Sequence, residues 1–149
     1  MSDKWRVDPD LSLAAVEAEL PETNRRVQKL LTKLYSKRFG RFSNEEVYLC
    51  ISTHTGLPWT LPLAVERLQA DPMLEAVAHP GDLLTAVLGV DGAFWKQQPE
   101  LAVQMADVAQ RALQIAQEMG APLPLDEILG DDLLMAIQQF ITGVKPEEA

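Results

Sequence analysis

Apolar residues recur along most of this chain at intervals of three and four, the spacing that lines one face of an α-helix. Between Pro21 and Gly40, the residues Val27, Leu30, Leu31, Leu34 and Tyr35 form one such stripe, and Arg25, Lys29, Lys33 and Lys37 follow each other at steps of four along a second, basic one. Ser43, with Glu46 three residues later, carries the signature of a capping box and predicts a helix from about Asn44 to His54, with Thr55-Gly56 as its stop. Pro58 and Pro62 bracket the start of the next helix, because proline fits outside a helix or in its first turn, and "LAVERLQA" continues it to Asp71-Pro72.

After the loop "DPMLEAVAHPG", the pattern predicts a short helix from about Gly81 to Leu88. A longer one starts near Pro99, carries Leu101, Met105, Val108, Ala112, Ile115 and Met119 on one face, and stops at Gly120-Ala121-Pro122. A last helix covers about Asp126 to Ile141, with Gly130 as its weak point. No window alternates with the period of two that marks a half-buried strand, and no fixed-period repeat or low-complexity tract is present. The expected architecture is all-α, a single-domain bundle over residues 1–149 of about six or seven helices with short connections, its ends fraying at about 1–8 and 143–149.

Composition narrows the function. The chain has 149 residues, 47% of them hydrophobic and 23% charged, which is enough apolar material for a packed core. One cysteine, Cys50, excludes an internal disulfide, and the lack of an N-terminal apolar run or an 18-residue apolar segment gives no signal for export or membrane spanning, so a cytoplasmic protein is expected. The net charge of −9 opposes binding of nucleic acid by the chain as a whole. The charge is segregated: residues 1–41 carry a net +3 and residues 42–149 a net −12. An acidic surface of this kind serves solubility, and its sharper use is to steer a basic partner into contact.

Candidate chemistry is sparse. His79 and Asp82 flank Pro80-Gly81 and resemble the start of an acid/base pair, but no nucleophile or orienting group accompanies them. The local reading is a helix opening: Pro80 suits a first turn, Gly81 permits the tight approach, and the Asp82 carboxylate accepts the exposed backbone N–H groups of the new helix. Cys50 and His54, one helical turn apart, have the spacing of a thiolate dyad or half a metal site. No second cysteine exists, and the only other histidine is His79, so a buried thiol is the expectation. The adjacent acidic pairs Glu45-Glu46, Asp126-Glu127 and Asp131-Asp132 point in different directions on a helix and read as first-turn charge or solvated surface rather than paired acids. No P-loop, dinucleotide fingerprint or HExxH is present, so neither enzyme activity nor a cofactor or metal is expected.

One stretch is informative as a whole: "GLPWTLPLAVERLQADPMLEAVAHPGDLLTAVLGVDGAFWKQQPEL", from Gly56 to Leu101. Its Gly56-Leu57-Pro58 turn, the Pro62-Leu63-Ala64 run with Glu66 and Leu68 after it, the Asp71-Pro72 stop, Pro80-Gly81-Asp82-Leu83-Leu84, and Phe94-Trp95 ahead of Pro99-Glu100-Leu101 together resemble the immunity proteins of bacterial contact-dependent growth inhibition systems. Against that pattern, His79 replaces an aromatic and Thr53-His54 stands where a Gln is common. Weaker likeness reaches back to "DLSLAAVEAEL". The resemblance implies a small protein that binds and neutralises the C-terminal toxin domain of such a system, often a nuclease.

The matched residues, Gly56, Leu57, Pro58, Pro62, Glu66, Pro80, Gly81, Asp82, Leu83, Leu84 and Trp95 among them, are mostly types that set turns and fill cores, so they are read as scaffold. The toxin-binding candidates rest on charge: Asp126, Glu127, Asp131 and Asp132, with Glu45 and Glu46 as a second cluster. The expected partner is the cognate toxin domain, with neither nucleic acid nor membrane, and the oligomeric state is not fixed by the sequence. Two alternatives stand beside it. One is a helical adaptor without a toxin partner, whose sign is an exposed apolar patch. The other is a nucleic-acid binder using Arg25, Lys29, Lys33 and Lys37, whose binding would fade with salt.

Overall fold

The computed structural model describes residues 5–78, 80–120 and 131–144, with side chains for all of these except 119–120, 131–134 and 144. Seven α-helices lie within them: α1 Arg25–Leu34, α2 Asn44–Ser52, α3 Leu57–Ala70, α4 Asp82–Leu88, α5 Gly92–Gln97, α6 Pro99–Gly120 and α7 Asp131–Val144. No sheet forms among the described residues, and two isolated bridges, Ser12 with Arg38 and Glu75 with Pro80, are the only extended pairings there. The fold is all-α. His79, the 121–122 stop and the 126–130 start predicted for the last helix lie outside the described residues.

The local signals explain most boundaries. Asn24 caps α1 by accepting the Val27 N–H at 2.9 Å. The helix is shorter than its stripe: Tyr35 is already its C-cap, and Lys37 lies beyond it. Leu31 and Leu34 are buried while Leu30 is 45% exposed, because it stands at the edge of the stripe rather than on its midline. At α2 the capping box is complete: the Ser43 hydroxyl accepts the Glu46 N–H at 3.1 Å, and the Glu46 carboxylate accepts the Ser43 N–H at 2.8 Å.

The helix starts before Pro58, which corrects the expectation that both prolines flank its beginning. Gly56 is the N-cap, in the left-handed region at φ 59, and Pro62 is buried inside α3. A Cβ on Gly56 would stand 2.6 Å from a methyl of the fully buried Leu13, so both conformation and space select glycine there. Pro62 removes one intrahelical N–H. The first turn is held without it by the Trp59 and Thr60 N–H groups on the Gly56 carbonyl, at 2.9 and 2.8 Å, and by the buried Thr60 hydroxyl donating to the Thr55 carbonyl at 2.9 Å.

Periodicity missed α5. Six residues are too few to display a 3.6-residue repeat. Its one local signal is Asp91, which caps it by accepting the Ala93 N–H at 2.8 Å. Helix α6 buries Leu101, Met105, Val108 and Ala112 as its stripe requires, and packs against α3, α5 and α7. Within the N-terminal segment expected to fray, Trp5 is 8% exposed, and Arg6 stacks over its ring while pairing with Glu66 of α3 at 2.7 Å. The chain then runs beside residues 38–40, where the Phe39 and Gly40 N–H groups donate to Leu11 and Pro9 at 2.8 and 2.9 Å.

Candidate interaction surface

Asp82 holds a loop rather than capping a helix. It is 4% exposed, and its carboxylate accepts the N–H groups of Ala76, Val77 and Ala78 at 2.8, 2.8 and 2.7 Å. Those donors belong to the preceding loop, whereas α4 has no side-chain cap and opens on Gly81 at φ 86. The first-turn position of Asp82 still suits the positive end of the helix dipole, but the bonds close the 71–81 loop onto α4.

The other motif positions fall in turns and in the core. Leu83 and Leu84 are fully buried, Trp95 is 5% exposed, Leu57 and Pro58 open α3, Pro80 is exposed beside Gly81, and Glu66 meets Arg6.

Cys50 and His54 do not make a reactive pair. Cys50 is fully buried, and burial, followed by the nearby negative charge of Glu46, pushes its thiol up to about 12. His54 is exposed just past α2 in the left-handed region at φ 58. Among the described residues, no group of three or more His, Cys, Asp or Glu side chains is placed to hold a metal ion.

The two members of the first acidic cluster differ. Glu45 is exposed, whereas Glu46 is held by its capping bond and by the Lys37 ammonium at 2.9 and 3.1 Å. Burial acts to raise the Glu46 carboxyl; the Lys37 and Ser43 hydrogen bonds and the Lys37 charge outweigh it and hold it below its ordinary value. This pairing also takes Lys37 out of the basic row, leaving Arg25, Arg26, Lys29 and Lys33 exposed on α1. In the second cluster, Asp126 and Glu127 lie outside the described residues. Asp131 and Asp132 are the first two residues of α7, one turn before Met135, and their side chains are outside the description.

A feature that sequence patterning did not locate is a groove of about 580 Å³ where α5, α6 and α7 meet. Leu88, Val90, Trp95, Ala102 and Phe140 form much of its wall. Trp95 crosses from α5 to α7, its ring edge-on to Phe140 with centroids 4.9 Å apart, and its indole N–H is buried with no acceptor among the described residues. Val103 of α6, in the lining, is 58% exposed, and Met135 of α7, in an adjoining shallow depression that shares Gln139 and Gly143 with the groove, is 56% exposed. Such a lining suits binding by shape and apolar contact.

No helix among the described residues is long and apolar enough to cross a membrane. No curated protein and no solved structure shows significant similarity to the chain. A family model of CDI immunity proteins matches residues 13–105, more than half of the sequence, and spans the segment from the buried Leu13 through the Gly56 turn, the Asp82-closed loop and Trp95 to Met105 in α6. The turn and core positions on which the resemblance rested are thus carried by a match that extends well beyond them, and the chain belongs to the CDI immunity proteins.

Proposed function

We propose that this protein neutralises its cognate toxin domain by binding it, without catalysis, in the cytoplasm of the cell it protects. Membership of the immunity family is the observation that carries the reading. The net −12 over residues 42–149 supports a toxin that handles nucleic acid, because a cleft built for phosphates is basic and an acidic protein is drawn to it. In this reading Asp126, Glu127, Asp131 and Asp132 steer association, with the exposed Glu45 as a second contributor.

The test is stopped-flow association of the cognate toxin domain with the wild type and with the Asp131→Lys/Asp132→Lys variant, across a salt series. Slower association and a flatter salt dependence in the variant are expected. Identical rates and slopes would remove that cluster from the interface, and absence of wild-type binding would remove the function itself. The exposed Val103 and Met135 favour a second reading, a helical adaptor without a toxin partner, and in that case the toxin domain would not be captured at all.

A further inference from the structure

We infer that the groove between α5, α6 and α7 is an anchor site for an apolar side chain carried on a cationic protein segment; resting on the function proposed above, that segment belongs to the toxin. The cavity, about 580 Å³, falls in the size range of built ligand sites and is lined mainly by apolar side chains. A single exposed apolar residue on a helix calls for no explanation, but here Val103 lines the groove and Met135, another of the four large exposed hydrophobics among the described residues, lines the shallow depression that adjoins it. Trp95, edge-on to Phe140 in the same lining, gives the groove an aromatic reporter, its buried indole N–H.

Charge names the occupant. On α6, Glu100 and Asp107 lie three residues before and four residues after Val103, so helical geometry puts them on the same exposed face, one turn to either side of it. Among the described residues, Lys96 is the one charged residue in the lining itself and belongs to α5. The α6 lip is therefore an apolar residue between two carboxylates. It complements a leucine-like or aromatic side chain with lysine or arginine one turn away on either side, whereas an anionic amphiphile such as a fatty acid would pair with Lys96 instead. A second copy of this chain, whose α1 exposes Leu30 between Arg26 and Lys33, carries similar chemistry, and dependence of the indole signal on protein concentration separates it from the toxin.

The experiment uses a synthetic amphipathic Leu/Lys helical peptide, its Leu/Glu counterpart and the toxin domain as probes of the full chain. Nitrogen-edited NMR follows the Trp95 indole N–H, assigned with Trp95→Phe. The Leu/Lys peptide is expected to shift that resonance, and the Leu/Glu peptide is not. Val103→Glu is expected to abolish the shift, although it adds negative charge and would strengthen non-specific attraction. Met135→Glu provides an independent second variant. For the toxin domain, Val103→Glu is expected to weaken binding at least tenfold with an unchanged melting temperature.

The inference is overturned if neither peptide or both peptides move the indole, if a fatty acid does so instead, or if the indole shifts with protein concentration alone, which would assign the groove to a second copy. It is also overturned if the toxin domain binds Val103→Glu as it binds the wild type. Failure of the wild type to bind the toxin domain would sink the proposed function while the peptide arm still decides the groove.

Discussion

The Trp95 indole meets the Phe140 ring edge-on, with centroids 4.9 Å apart and planes at 82°, and this contact ties α5 to α7 across one end of the groove. Trp95 is 5% exposed and Phe140 is partly buried against the same core. Trp95→Ala is expected to cost about 3–5 kcal/mol in chemical denaturation, the range for large-to-small aromatic changes in a core. A double-mutant cycle with Phe140→Ala should return a coupling of about 0.5–1.5 kcal/mol. A coupling near zero would show that the two rings stabilise their helices independently.

Asp82→Ala leaves three loop N–H groups without their carboxylate, and two of them, on Ala76 and Val77, are bonded to different oxygens of it. A helix cap would be worth about 1 kcal/mol. Loss of charge-assisted bonds at a 4% exposed site should cost more, about 3 kcal/mol. Hydrogen exchange separates the two, because protection should fall at residues 76–78 if Asp82 serves the loop and at the start of α4 if it serves as a cap.

Glu46→Gln isolates the ion pair from the cap, since glutamine still reaches the Ser43 N–H but loses the charge that Lys37 meets. Both side chains are about a third exposed, so the loss should stay under about 1 kcal/mol. Because the Glu46 carboxyl is lowered in the folded state, its contribution is present above the ordinary value of 4.5 and is lost as pH falls below it. The wild type should therefore lose its advantage over Glu46→Gln on acidification, which thermal melts at neutral and acid pH would measure.

Cys50 should resist thiol reagents in the native protein. With the thiol pushed up to about 12 from an ordinary 9.0 and no surface exposure, labelling at pH 8 should proceed only as fast as the protein opens and should accelerate with denaturant. The same shift has a sign for stability. The unfolded chain ionises first, so stability falls as pH rises from about 9 towards 12, and Cys50→Ala should lack that component. Rapid stoichiometric labelling without denaturant would contradict the burial.

What the sequence by itself determined is what acts within a turn or two of chain. The 3.6-residue spacing marked the stripes of α1 and α6, the Ser43–Glu46 pair marked the start of α2, and Gly56 and Gly81 marked breaks between helices, because each depends on neighbours fixed by covalent connection. The segregation of charge and the family resemblance were also written in residue order. Only the tertiary structure decided where Asp82 aims its oxygens, which partner removes Lys37 from the basic row, and that Arg6 reaches Glu66 sixty residues away. The groove belongs to the same class. Its walls come from helices that meet only when α7 folds back on α6, and one of them, α5, is too short for periodicity to register, so neither the cavity nor the burial of the Trp95 N–H has a signature along the chain.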